Sequence, residues 1–306
     1  MRVCVVGCGA VGSLFAASLA QLEDVEVWAY DLDAEHVRAI NESGLRLSGA
    51  GELVGRPQAT TEASELPPCE FGIVATKSMH TDAALRAAVH ALSEGAVCSV
   101  QNGVGNEETI AAHAARVIRG TTFPAGRIVE PGHVQWDVTG DTTIGPFEPS
   151  PAPMEEIERL ADACTRGGMP TEAVPDARGP QWRKVIFNAA TNPVGALTGL
   201  THGQVCEDES LRRLVSALVD EGKAVAGAQE IELDADPEEL IDYAARPEVA
   251  YGHKASMLQD VEARRQTEID YLNGGIVRFG REHGVPTPLN EAVVALVKGL
   301  EESWQR

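Results

Sequence analysis

A lysine and two asparagines recur at four-residue spacing in the stretch WRKVIFNAATNPVGALTG, residues 182–199: Lys184, Asn188 and Asn192. In a helix, at about 100° per residue, these three fall within an arc of about 80°. Val185, Ile186, Phe187, Ala189, Ala190, Val194 and Leu197 cover most of the remaining surface. An ordered, desolvated amine with two amides costs free energy unless something answers their hydrogen bonds. Something must therefore sit opposite this stripe and answer its hydrogen bonds. The alternative is a solvated helix face with a snorkelling lysine, against which the apolar residues all round the helix weigh. Pro193 lies inside the same helix, where it cannot donate to the Ala189 carbonyl and is expected to kink the axis.

A second group of residues has the chemistry of a phosphate cradle. In VCVVGCGAVGSLFAASLA, Gly7, Gly9 and Gly12 form a G-x-G-x-x-G spacing directly after a strand-like run and at the opening of a helix-like one. The first glycine allows a tight turn, the second lets a pyrophosphate approach the backbone, and the third lets helix and strand pack closely. The loop Gly7, Cys8, Gly9, Ala10, Val11, Gly12 is therefore the expected cofactor-binding segment, with the helix N-terminus supplying N–H groups and positive potential. Asp31 ends the next strand, VEVWAYDLD, 19 positions beyond Gly12. Its carboxylate can accept from an adenosine ribose and would repel a 2′-phosphate, which favours NAD and leaves NADP as the less favoured cofactor. The competing role for Asp31 is a turn or helix cap, and Asp33 could share either task.

The elements that must position these groups follow from the pattern of the chain. RVCVVG, VEVWAY, FGIVAT and AVCSVQ are short β-branched runs, separated by the helical patterns AVGSLFAASLAQL, AEHVRAINESG and TDAALRAAVHAL. Apolar strands spaced by amphipathic helices imply a parallel sheet covered on both faces. Further strands are expected in RGTTFPAGRIV, GHVQWDVTG and DTTIGPF, then a helix near MEEIERLADACTRGG, with TEAV as a last strand closing the sheet. From about residue 178 the pattern changes to long helices, expected at 180–199, 208–230, 237–246, 262–283 and 288–303. The Gly/Pro/Asp-rich VPDARGPQ marks the join, so the expected domains are an α/β dinucleotide-binding unit, 1–177, and an all-α substrate unit, 178–306.

Bulk properties narrow the partners. The 306 residues carry a formal net charge of −21, which argues against nucleic acid or an anionic membrane, since a phosphate surface needs a cationic footprint. The six cysteines, Cys4, Cys8, Cys69, Cys98, Cys164 and Cys206, contain no C-x-x-C pair and the eight histidines are scattered, so no metal site is expected. Apolar stretches fall short of the roughly 18 residues a membrane span needs, and the first residues enter a strand without a basic leader. The expectation is a soluble cytoplasmic protein. Apolar faces on the long helices could build a homodimer or serve packing within the domain.

The glycine fingerprint, ATKSMHT, QNGVGNEE, WRKVIFNAATNP, SMLQDVEARRQTEIDYLNGGIV and HGVPTP occur in one order along the chain. In this the sequence resembles the ketopantoate reductases (2-dehydropantoate 2-reductases) nearly end to end. The resemblance implies a Rossmann-type domain followed by a helical domain related to that of 6-phosphogluconate dehydrogenase, with substrate in the cleft between them. It also implies reduction of 2-dehydropantoate to pantoate, on the route to pantothenate and coenzyme A. It assigns Lys184 as the catalytic lysine, Asn188 and Asn192 as substrate contacts, Glu268 as an essential carboxylate, and Ser256 as a contact of the substrate carboxylate. Lys77 and Asn102, each expected just past the carboxyl end of a parallel strand, fall around cofactor and substrate. Read without the resemblance, Glu268 is an ordinary exposed helix residue, Ser256 a helix N-cap, and QNGVGNEE a turn with a helix cap.

Two positions depart from the family pattern. Leu32 stands next to Asp31 where many members carry an arginine for a 2′-phosphate, in keeping with NAD. His253 stands three residues before Ser256, where an asparagine is usual; its imidazole can still donate one hydrogen bond but reshapes the substrate pocket. The expected function is an NAD-dependent ketopantoate reductase acting on a small keto acid. The alternatives are a relative with the same machinery and another 2-keto or hydroxy acid, and a non-catalytic dinucleotide sensor.

Overall fold

Short β-branched runs alternating with amphipathic helices produce a doubly covered sheet in the first part of the chain. The computed structural model describes residues 1–304. Its strands and helices run β1 (Arg2–Val6), α1 (Ala10–Leu19), β2 (Glu26–Tyr30), α2 (Ala34–Ser43), β3 (Leu45–Gly49), β4 (Leu53–Gly55), β5 (Gln58–Thr60), β6 (Phe71–Val74), α3 (Thr81–Leu92), β7 (Ala96–Ser99), α4 (Asn106–Ala111), β8 (Arg116–Thr122), β9 (Ala125–Glu130), β10 (His133–Val138), β11 (Thr142–Pro146), α5 (Met154–Arg166) and β12 (Thr171–Ala173). The main sheet has eight strands in the order β12-β11-β8-β7-β6-β1-β2-β5. Every pairing in it is parallel except β8 with β11. The central strands β1, β6 and β7 are buried almost throughout, as expected where helices cover both faces.

The single sheet expected from the sequence is in fact two. β4-β3-β10-β9 form a separate four-stranded sheet. The run RGTTFPAGRIV, read as one strand, breaks at Phe123 and Pro124 into β8 of the main sheet and β9 of the small one. Proline cannot donate to a ladder, which makes it a natural point for a strand to leave a sheet. β3, β4 and β5 were not foreseen, being short and partly polar. TEAV takes an edge of the main sheet as β12, parallel to β11.

The rest of the chain is helical: α6 (Arg178–Thr198), α7 (His202–Glu207), α8 (Glu209–Ala228), α9 (Pro237–Ala244), α10 (Ser256–Glu262), α11 (Asn273–His283) and α12 (Pro288–Ser303). By contacts the chain forms two compact units, Met1–Gln101 with Asn106–Ala177, and Asn102–Gly105 with the chain from Arg178 onward. The short segment 102–105 therefore packs with the helices. α6 lies at the centre of the helical unit, where Trp182, Val185, Ile186, Ala189, Ala190 and Val194 share one core with Val215, Leu218 and Val219 of α8, Ile276 of α11, and Val293 and Val297 of α12. The contact with α8 is close: a Cβ on Gly222 would lie 2.8 Å from the Ile186 side chain.

The helix expected over 262–283 is also corrected. α10 ends at Glu262, Arg264 takes φ +49° in the left-handed region, and α11 starts only at Asn273. The intervening segment is fixed by contacts from afar. Thr267 N–H donates to Glu301 Oε1 at 2.8 Å, and Asp270 pairs with Lys298 at 2.7 Å, both partners being on α12. Among the described residues no helix is long and apolar enough to cross a membrane.

Candidate active site

In the α/β unit, the glycine turn is built as its spacing requires. Gly7 has φ +87°, and a Cβ there would lie 2.7 Å from Thr76. A Cβ on Gly12 would lie 1.9 Å from the Gly7 carbonyl oxygen, so only glycine lets α1 pack this tightly on the turn. Gly9 differs. It is the N-cap of α1, and a Cβ there would meet no protein atom within 4 Å. Open space thus faces the end of the helix, where the first-turn N–H groups of Ala10, Val11 and Gly12 have no acceptor within α1. A backbone cradle with room in front of it, at a positive helix end, fits the pyrophosphate of a dinucleotide.

Asp31 completes the turn. Its Oδ2 accepts from Cys8 N–H at 2.6 Å and its Oδ1 from Asp33 N–H at 2.9 Å, which ties the glycine loop to the end of β2. Asp33 caps α2 by accepting from Glu35 and His36 N–H. The capping duty is therefore divided: Asp33 holds the helix and Asp31 the loop. Each Asp31 oxygen keeps a second lone pair for a ribose hydroxyl. Leu32 beside it is 78% exposed. Lys77 follows β6 and is half-buried, at the carboxyl ends of the parallel strands where open α/β sheets bind ligands.

In the helical unit three candidate residues from distant parts of the sequence interact. Lys184, in the second turn of α6, donates from Nζ to the Asn102 side-chain oxygen at 2.9 Å. Asn102 reaches it because Gly103, at φ +86°, turns the chain so that Val104 N–H donates to the Tyr271 carbonyl at 2.9 Å; a Cβ on Gly103 would lie 2.5 Å from that oxygen. Tyr271 in turn belongs to the turn after Glu268, whose carbonyl accepts from Tyr271 and Leu272 N–H at 3.0 and 3.1 Å. Lys184 is half-buried, and desolvation of its ammonium pushes its pKa down to about 8, an effect the negative charge of Glu268 opposes. Glu268 itself is 7% exposed and lies in a bend, so the reading of it as an exposed helix residue does not hold.

Asn188 and Asn192 follow Lys184 at one-turn intervals on α6, 7% and 6% exposed. Their side-chain amides lie on the same stripe of α6 as the Lys184 amine. Ser256 and His253 lie elsewhere, at the start of α10 and just before it, and α10 packs against α6. Ser256 is exposed and is the first helical residue; Ala255 occupies the N-cap, so Ser256 is not the cap. His253 is half-buried, with its carbonyl accepting from His202 N–H at 3.1 Å.

Sequence reasoning missed Asn273. Fully buried at the start of α11, it donates from Nδ2 to the Ala189 carbonyl at 2.8 Å, the oxygen that Pro193 leaves without a donor. Pro193 announced the need for a donor, but nothing local named the residue that meets it.

The ketopantoate reductase PanE/ApbA model matches residues 3–149, and the ketopantoate reductase PanE/ApbA C-terminal model matches residues 176–301. The chain belongs to the ketopantoate reductase family. It is 35% identical over 303 residues to a 2-dehydropantoate 2-reductase of Pyrococcus abyssi, covering 98% of each chain. Among solved structures it is similar to a PanE/ApbA family ketopantoate reductase from Ralstonia eutropha (TM-score 0.88, 31% identity, 100% of each chain). It is also similar to D-mandelate dehydrogenase in a ternary structure with NADH and anilino(oxo)acetate (TM-score 0.90, 26% identity, 100% of each chain). The architecture is accordingly a Rossmann-like α/β domain followed by an all-α domain, and family membership carries with it oxidoreductase activity of the NAD(P)-dependent keto acid class.

Proposed function

We propose that this ketopantoate reductase relative reduces 2-dehydropantoate to pantoate with NADH, in the cytoplasm and on the route to pantothenate. The observation that carries this reading is the Lys184 ammonium, held by Asn102 and supported by the charge of Glu268, one helical turn from the buried Asn188 amide. The Gly7–Gly12 loop would hold the pyrophosphate of a reduced nicotinamide dinucleotide and Asp31 its ribose, and the bound cofactor would supply the hydride. Lys184 gives a proton to the ketone oxygen, so that one hydride and one proton convert carbonyl to alcohol. Asn188 and Asn192 hold substrate oxygens, Ser256 and His253 contact the substrate carboxylate, and Lys77 and Asn102 flank cofactor and substrate. The absence of an arginine beside Asp31 supports NADH over NADPH.

The similarity to D-mandelate dehydrogenase favours a second reading, in which the same machinery serves a 2-keto acid with a bulkier substituent. His253, standing where the family usually has asparagine, bears on that choice. Steady-state rates with 2-dehydropantoate and a panel of 2-keto acids, each with NADH and NADPH, test both. Highest kcat/KM for 2-dehydropantoate with NADH is expected; better turnover of an acid lacking the hydroxymethyl group would transfer the assignment to the second reading. No turnover of any keto acid, with a dinucleotide still bound, would leave a sensor.

A further inference from the structure

Pro193 has no amide proton, so the Ala189 carbonyl one turn back in α6 receives no donor from its own helix. Asn273 Nδ2 supplies the donor at 2.8 Å and gives its other proton to Asn290 Oδ1 at 2.9 Å. Asn290 is anchored in turn: Glu221 accepts from its side-chain amide at 2.7 Å and from its backbone N–H at 3.0 Å. Both asparagines are fully buried. With both amide protons committed, Asn273 has one orientation available to it.

The two ends of this link matter more than the link alone. Ala189 follows Asn188 directly and lies between Lys184 and Asn192 on α6. Asn273 opens α11 straight after the turn that begins at Glu268 and is closed by Tyr271 and Leu272 N–H. One buried amide therefore joins the helix that carries the ammonium to the turn that carries the carboxylate. A packing contact alone would tolerate sliding by a fraction of an ångström; a hydrogen bond to a carbonyl freed by proline fixes the register of both segments.

We propose that Asn273 is a positioning residue for the reduction, setting the separation of Lys184 and Glu268 through its bond to the Ala189 carbonyl. The inference rests on the reading of Lys184 as proton donor.

The test compares Asn273→Ala with the parent, and Asn273→Ala/Pro193→Ala with Pro193→Ala alone. Alanine at 193 restores the backbone N–H that Ala189 lacks, so the double variant keeps that oxygen satisfied even if the single variant folds poorly. Melting temperatures, and pH profiles of kcat and kcat/KM with 2-dehydropantoate and NADH, are read for each. In both pairs the loss of Asn273 is expected to lower kcat at least tenfold, shift the alkaline limb to lower pH as Lys184 loses support from Glu268, and leave the KM for NADH unchanged. If Pro193→Ala repairs the melting temperature, and kcat and the alkaline limb match the comparison protein, Asn273 only satisfies a carbonyl and the proposal is overturned. Lys184→Ala, run alongside, separates the premise: parental turnover in that variant removes the proton donor itself, whereas loss of turnover there with no effect of Asn273→Ala overturns the positioning role alone.

Discussion

Lys184 donates to the side-chain oxygen of Asn102 at 2.9 Å, across 82 positions of sequence, while the charge of Glu268 opposes the lowering of its pKa by burial. Such an amine can release its proton readily, because burial has brought its pKa down to about 8. For reduction, where Lys184 must start protonated, kcat/KM is expected to hold below about pH 8 and decline above it. Glu268→Gln removes the charge that holds the pKa up, so its alkaline limb moves to lower pH. Lys184→Ala is expected to lower kcat by about 10² to 10⁴. An alkaline limb that stays in place in Glu268→Gln would show that the carboxylate does not act on Lys184.

Gly9 and Gly12 should respond to alanine in opposite ways. At Gly12 the new methyl would collide with the Gly7 carbonyl, so a loss of about 1–3 kcal/mol in stability is expected together with weakened dinucleotide binding. At Gly9 there is room within the protein, and the fold should lose no more than about 1 kcal/mol. Dinucleotide affinity should nonetheless fall at least tenfold, because the methyl occupies the space in front of α1. Thermal melts and fluorescence titration with NADH separate the two effects.

On the proposed reading, Asp31 sets cofactor choice by charge. A 2′-phosphate about 4 Å away would meet a repulsion of about 4 kcal/mol at an effective dielectric of 20, before screening by salt. Asp31→Asn is therefore expected to raise the NADPH-to-NADH ratio of kcat/KM between about tenfold and a thousandfold, with the effect shrinking as salt is added. An unchanged ratio would place the discrimination elsewhere.

His36, beside the dinucleotide loop, gives stability a further dependence on pH. Its ring is 1% exposed; Nδ1 accepts from Gly132 N–H at 3.0 Å, and Nε2 lies 3.4 Å from Ser13 Oγ. Burial lowers its pKa, with the charges of Asp31 and Asp33 opposing. An imidazole that resists protonation only when folded makes the unfolded chain bind more protons, so stability is lost as pH falls below about 6.5, the unperturbed value. Urea melts between pH 7.5 and 5.5 should show a shallower acid dependence for His36→Asn than for the parent.

Local features carried most of what the sequence disclosed. β1, β2, β6 and β7 were legible because their apolar runs need no distant partner to be recognised, and Lys184, Asn188 and Asn192 could be placed on one helix because periodicity is a property of neighbours. What was lost was set by contacts from far along the chain. Nothing in QTEIDYL breaks a helix by composition; the break before α11 is held by Glu301 and Lys298, more than 25 residues on. The meeting of Lys184 with Asn102, and of Asn273 with Ala189, likewise spans 82 and 84 positions. The division of RGTTFPAGRIV between two sheets was signalled by Pro124, whose missing N–H argued against an unbroken strand.

The dependence of α6 on Asn273 also bears on how the protein comes together. A helix whose ladder is completed by a side chain from 84 residues later cannot reach its final stability as an isolated segment, and must wait for α11 to dock. Hydrogen exchange at the middle of α6 and at the start of α11 should therefore open as a single cooperative unit. On this account the amine and the carboxylate become competent in the same step of maturation, and a chain caught before that step would be inert rather than weakly active.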